Sequence, residues 1–156
     1  MVPAHTVGGS DEDFQRGIAC EYDLTPSTRS HGHAGASNGF TVTAMAGCVW
    51  TVTNPNGWIT IVSGAGGGTG DGVIGYTVAA NPSGQGRTGL VTVANQVFTL
   101  VQSGQPCSFA ILPLSTAHGA GSETGLVTVT ATTGCAWGVG NSNDWITINS
   151  GASGLG

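Results

Sequence analysis

The chain has 156 residues, of which 7% are charged, and its formal net charge is −5 at pH 7. It contains no lysine and only three arginines, which argues against a nucleic-acid partner, because phosphate neutralisation needs clustered Lys and Arg. No apolar run approaches the roughly 20 residues of a membrane-spanning helix, so we predict no membrane span.

Residues 1–19 are polar and include an acidic run at positions 11–13. This composition is typical of a flexible leader. The alternative is an arm that docks on a neighbour through Phe14 and Ile18.

From residue 20 onward, apolar and polar residues alternate with a period of two, which predicts β-strands. The predicted strands cover residues 20–24, 40–44, 50–53, 58–62, 74–78, 90–93 and 97–101. Residues 27–39 are predicted to form a loop, and the glycine-rich residues 63–72 a flexible connection. Seven short strands separated by turn signals, with no helical segment, indicate an all-β fold of the immunoglobulin-like β-sandwich type.

The sequence repeats itself with an offset of 87 residues, since Cys48 matches Cys135 and 135 − 48 = 87. Residues 20–69 and 107–156 form 50 aligned pairs, of which 22 are identical. A repeat of this length is a domain, so we divide the chain into the leader, a complete seven-strand repeat at 20–106 and an incomplete repeat at 107–156. The second copy has counterparts of the first four strands only, the last of them at residues 145–148.

The four cysteines lie at 20, 48, 107 and 135, so that each repeat holds one pair separated by 28 residues. Equivalent positions should be bonded equivalently, which favours the disulfides Cys20–Cys48 and Cys107–Cys135 among the three possible pairings. Zinc is the competing interpretation, but CxxC spacing is absent and no histidine recurs beside the cysteines. Disulfides indicate an oxidising compartment, so we expect an extracellular or cell-surface protein.

Several spaced motifs of the first repeat agree in order with those of the BACON family. They are Cys48, Trp50, residues 58–65, residues 75–81, residues 87–89, residues 91–93 and Gln102. The chain therefore resembles BACON domains over all of repeat one and the first half of repeat two. The resemblance implies immunoglobulin-like modules, often in tandem in large exported bacterial proteins, with a proposed carbohydrate-binding role.

The large aromatic side chains occupy repeat-equivalent positions, which favours a structural role over a sugar-binding platform. We predict a structural core that includes Trp50, Trp58, Tyr76, Trp137 and Trp145.

No constellation of residues predicts catalysis, a metal or a cofactor. The sequence His31-Gly32-His33 could begin a metal site, but only His31 recurs, as His118, so a loop histidine is the preferred interpretation. The glycine-rich residues 64–72 lack both the P-loop ending and the alternating carboxylates of a calcium loop. We therefore predict that the protein is not an enzyme.

Two function hypotheses follow. The first is a structural module of a surface fibre, assembled head to tail when a neighbouring subunit adds a strand to the incomplete repeat. Its assembly face comprises Val139, Ile146 and Ile148, and its partner is another copy of the chain. A fragment of a longer tandem array would explain the same incomplete repeat. The second hypothesis is a carbohydrate-binding module of a larger secreted protein.

Overall fold

The computed structural model describes residues 19–156, so the predicted leader, with Phe14 and Ile18, lies outside the described residues apart from Ala19. The described chain is built of short strands. They are β1 Tyr22–Thr25, β2 Thr28–His31, β3 Ala36–Ala44, β4 Val49–Trp50, β5 Val52–Thr53, β6 Ile59–Ser63, β7 Gly68–Thr69, β8 Gly72–Val78, β9 Arg87–Val93, β10 Gln96–Gln102, β11 Phe109–Leu112, β12 Thr128–Ala131, β13 Ala136–Gly138 and β14 Ser153–Leu155.

The first repeat folds into two four-stranded sheets, which confirms the predicted β-sandwich. One sheet has the order β1-β3-β8-β6 and the other the order β2-β10-β9-β5. All pairs in the two sheets are antiparallel except β2 with β10, which run parallel. A separate two-stranded pair joins β4 to β7.

The core of the first repeat lies between these two sheets, where their inward-facing residues alternate with outward-facing ones. Phe40 of β3 stacks on Phe98 of β10, with ring centroids 4.1 Å apart. Tyr76 of β8 packs against the same Phe98 at 5.5 Å. Ile74, Tyr76 and Val78 are all buried, as the period-two pattern of that strand requires.

Two segments that the sequence predicts as loops contain strands. Thr28–His31 forms β2 on the edge of the second sheet, although residues 27–39 lack alternating apolar residues. Its inward-facing positions are Arg29 and His31, so the apolar signal of a strand is missing there. Gly68–Thr69 forms β7 within the predicted flexible connection, where it pairs with Val49–Trp50.

The second repeat forms two separate two-stranded sheets, β11 with β12 and β13 with β14. The predicted strand at residues 145–148 is not formed. Its counterpart β6 pairs only with β8. Residues 107–156 contain no strand equivalent to β8, so this segment has no strand beside it within the described part of the chain.

Candidate assembly interface

Both predicted disulfides are present. Cys20 is bonded to Cys48, with Cα atoms 5.6 Å apart, and Cys107 to Cys135, with Cα atoms 5.7 Å apart. Disulfides persist in oxidising compartments, so they fit a secreted or extracellular protein.

The aromatic residues that the sequence assigns to the core of the first repeat are buried or half-buried. Trp50 is 4% exposed, and its indole Nε1 donates a hydrogen bond to the carbonyl oxygen of Gly70 at 2.8 Å. Trp58 is half-buried, and the guanidinium of Arg87 lies 4.3 Å from the centre of its ring. Tyr76 is fully buried.

The second repeat differs, and the assignment of Trp145 to the core is wrong. Trp145 is 81% exposed, whereas its counterpart Trp58 packs under Arg87 and beside Gly89 of β9. Residues 107–156 contain no counterpart of β9, so nothing in this repeat covers the indole. Trp137 is half-buried against Gly154.

The second repeat also exposes the aliphatic residues that are buried in the first. Ile146 is 38% exposed while its counterpart Ile59 is 3% exposed, and Ile111 and Val127 are exposed while Leu24 and Phe40 are buried. We call the apolar face those exposed residues whose counterparts in the first repeat lie in its core or pack against it: Phe109, Ile111, Val127, Val139, Trp145, Ile146 and Ile148. It includes all three residues of the predicted assembly face.

A polar pair inside the first repeat has no counterpart in the sequence prediction. His31 lies at the end of β2 rather than in a loop, and its Nε2 is 3.0 Å from the hydroxyl of Tyr76. Burial lowers the pKa of His31, and the charge of Arg29 lowers it further. Burial also raises the pKa of Tyr76, with Arg29 opposing the effect. The only feature of the sequence that indicates this arrangement is the spacing of Arg29 and His31, because residues two apart lie on the same face of a strand.

The first repeat contacts the second through the turn formed by residues 81–85, which we call the Asn81–Gln85 turn. It docks on a surface that we call the Cys107–Cys135 face, made of Cys107, Thr132, Thr133, Gly134 and Cys135. The amide of Gly84 donates to the carbonyl oxygen of Thr133 at 2.7 Å, and Gln85 Nε2 donates to that of Gly134 at 2.9 Å. A side chain at position 84 would overlap the sulfur of Cys135, so only glycine fits there. We call this contact the junction.

Residues 19–156 offer no group of three or more His, Cys, Asp or Glu side chains close enough to hold a metal ion. No helix capable of crossing a membrane occurs among them.

A family model described as the viral BACON domain matches residues 22–104. This match confirms the resemblance to the BACON family. Among curated proteins, none matches this chain.

Three solved structures are similar in part. One is the Bacteroides ovatus GH5 xyloglucanase in complex with a XXXG heptasaccharide, with a TM-score of 0.48 and 18% identity over 56% of this chain and 19% of that chain. Another is WR4, a C. elegans MSP family member, with a TM-score of 0.40 and 9% identity over 54% of this chain and 97% of that chain. The third is the BIgI domain of beta protein from S. agalactiae bound to CEACAM1, with a TM-score of 0.34 and 14% identity over 56% of this chain and 100% of that chain.

Proposed function

The chain belongs to the viral BACON domain family, and we propose that it is a non-enzymatic structural module of an extracellular fibre. The subunits join head to tail, and each apolar face is covered by a neighbouring copy of the chain. A carbohydrate-binding module is the second candidate.

The observation that carries the fibre proposal is the apolar face. In the first repeat the equivalent side chains lie in or against a core to which β8, β9 and β10 contribute Tyr76, Val91 and Phe98. Burying a large aliphatic or aromatic side chain contributes roughly 1.5–3 kcal/mol relative to leaving it in water. Covering several such side chains at once therefore strongly favours association.

The strand edges beside this face support the same proposal. Within the described chain, β11 pairs only with β12, and β13 only with β14. Each of these strands leaves backbone N–H and C=O groups on its outer edge, where a strand of another molecule can add. Such a contact joins two different surfaces, so its repetition does not close and produces a filament.

Multi-angle light scattering and electron microscopy of the 156-residue chain test the proposal. We expect concentration-dependent association and filaments. Ile146→Ser combined with Ile148→Ser should reduce association, because both side chains lie on the apolar face. A stable, folded monomer at every concentration would contradict the proposal.

The matched control replaces exposed aliphatic residues of the first repeat. Leu90 is 49% exposed and Val97 47% exposed, and neither belongs to the apolar face. The variant Leu90→Ser with Val97→Ser should associate like the parent. Equal loss of association in both variants would show that general surface hydrophobicity, not this face, is responsible.

The exposure of Trp145 favours the second candidate, since sugar-binding sites use exposed aromatic rings. A glycan array tests it, with the Trp145→Ala variant compared with the parent chain. Saturable binding that Trp145→Ala abolishes would support a carbohydrate-binding module. Absence of binding to every glycan would leave the fibre proposal as the better one.

A further inference from the structure

The junction has a counterpart on the first repeat that is built in the same way. Applying the offset of 87 to the Cys107–Cys135 face gives a surface that we call the Cys20–Cys48 face: Cys20, Met45, Ala46, Gly47 and Cys48. These five residues line a shallow concavity of about 290 Å³.

The backbone of the two faces shares two features. In each, the amide of the second cysteine donates to the carbonyl oxygen three residues earlier, at 3.0 Å in both cases. Gly134 and Gly47 both have positive φ, 79° and 89°. In the second repeat, the carbonyl oxygens of Thr133 and Gly134 accept hydrogen bonds from the Asn81–Gln85 turn. These shared features place the carbonyl oxygens of Ala46 and Gly47 in an equivalent position in the first repeat.

The two faces differ in what covers them. The carbonyl oxygens of Thr133 and Gly134 accept hydrogen bonds from the Asn81–Gln85 turn. Within residues 19–156, no donor reaches the equivalent oxygens of Ala46 and Gly47. Met45, at the edge of the face, is 50% exposed.

The sequence before each disulfide also matches. The motif Gln-x-Gly-x-x-Cys occupies residues 15–20 and residues 102–107. At Gly104 a glycine is required where the chain passes the Asn81–Gln85 turn, because a Cβ atom would overlap the carbonyl group of Gly84. Gly17 holds the same position in the sequence before Cys20.

We propose that the Cys20–Cys48 face binds the Asn-Pro-Ser-Gly-Gln turn of another BACON domain, in the geometry of the junction. The glycine amide of the incoming turn donates to Ala46 and its glutamine side chain to Gly47, while the glycine lies over the disulfide. This contact uses a surface distinct from the apolar face, so it goes beyond the proposed fibre contact, and either can exist without the other.

The incoming turn binds without first having to be ordered. In the first repeat Asn81 is 3% exposed, and its Nδ2 donates to the carbonyl oxygens of Gln85 and Ser103 at 2.8 and 3.2 Å. Its Oδ1 accepts from the amide of Ser83 at 3.2 Å. A turn held by its own domain loses little conformational entropy on binding, which favours affinity.

The test needs a chain in which the Asn81–Gln85 turn is no longer covered by the Cys107–Cys135 face. In Gly134→Val the new side chain would meet Ser83 Oγ at 2.8 Å and Gln85 Cγ at 3.2 Å, so the junction opens. Even if residues 107–156 unfold in this variant, Asn81 still holds the turn. The unlabelled Gly134→Val variant is titrated into the ¹⁵N-labelled parent chain. The amide signals of Ala46, Gly47 and Cys48 should shift in a saturable way, with a dissociation constant of about 1 mM or lower.

Two pairs of variants control for the site. The labelled Ala46→Trp variant should bind the Gly134→Val variant with a dissociation constant at least about tenfold higher than that of the parent. The labelled Asn95→Trp variant, changed at an exposed turn between β9 and β10, should bind it like the parent. On the donor side, Gly84→Val added to Gly134→Val should abolish the shifts, because valine cannot lie against the disulfide. Gly121→Val added instead should leave them, since a Cβ atom at position 121 meets nothing within 4 Å.

Three results would overturn the proposal. The first is no shift at residues 46–48 at any concentration. The second is shifts confined to residues 107–156, which would assign association to the apolar face alone and so support the fibre proposal instead. The third is a change at residues 46–48 when residues 1–17 are removed from the parent chain without any partner, which would assign the face to the leader.

Discussion

Trp50 connects the β4–β7 strand pair to the core of the first repeat. Its ring lies against Gly68 and Gly72, where any side chain would overlap it, and its indole donates to Gly70. Trp50→Ala should lower the free energy of unfolding of this repeat by about 3–5 kcal/mol, as for other large-to-small core changes. Urea unfolding followed by circular dichroism measures the change.

The matched control is the exposed Trp145→Ala, in which the same atoms are removed. Because this side chain is in water, its loss should change the free energy of unfolding by no more than about 0.5 kcal/mol. Comparable destabilisation by the two substitutions would contradict the difference in burial between the repeats.

His31 makes the stability of the first repeat depend on pH. Its pKa in the folded protein is lowered by burial and by Arg29, so the unfolded chain binds more protons as the pH falls below about 6.5. This contribution to stability is complete above that pH and decreases as the pH falls towards the lower folded pKa. Melting temperature measured against pH should therefore decline in this range.

His31→Gln should flatten that decline, because glutamine keeps a polar partner for the Tyr76 hydroxyl but does not titrate. The control His33→Gln changes an exposed histidine two residues away and should keep the parent profile. If both variants retain the decline, other groups cause it.

At the scale of strands, the period-two pattern identified those strands whose inward-facing residues are apolar, such as β8, β9 and β10. It missed β2, whose inward positions carry Arg29 and His31, because periodicity detects apolar faces and not backbone pairing. It also predicted a strand at residues 145–148, where the local sequence resembles β6. That segment forms no strand because β6 depends on β8, a tertiary partner that local sequence does not encode.

The candidate interfaces were predicted to different degrees. The disulfide pairing and the exposure of Val139, Ile146 and Ile148 followed from the repeat, since equivalent positions can be compared. The junction did not, because its residues are spread over three segments of the sequence, and nothing in their local pattern indicates that these segments meet. Glycines at 84 and 134 are its main signature, and a glycine requirement becomes visible only when the atoms that surround the position are placed.

The disulfide Cys20–Cys48 ties the start of the first repeat to the turn before β4. It closes a loop with a sequence separation of 28 residues, so its removal should cost about 3–4 kcal/mol through the greater freedom of the unfolded chain. Unfolding of Cys20→Ala with Cys48→Ala measures this effect. Thiol titration of the denatured, unreduced parent should detect no reactive thiol, whereas four would contradict both pairings.

At the scale of the whole molecule, the junction sets how the two repeats are held together. Cys135 is 1% exposed, although its repeat leaves many apolar residues in water, and the glycine at position 84 lies directly against its sulfur. The contacts that a side chain at position 84 would meet all belong to the second repeat: Cys135, Cys107 and Thr133. A substitution there should therefore separate the repeats without disturbing the first.

Gly84→Val is expected to open the junction, since its side chain would overlap Cys135 Sγ and approach Cys107 Sγ to 3.2 Å. The amide of residue 84 should then lose its hydrogen bond to Thr133 and exchange with solvent faster, and the radius of gyration from small-angle scattering should increase. The first repeat should melt at the parent temperature. Gly121→Val, whose side chain meets nothing within 4 Å, provides the control and should match the parent in all three measurements. Unchanged exchange and scattering in Gly84→Val would mean that the junction does not hold the repeats together in solution.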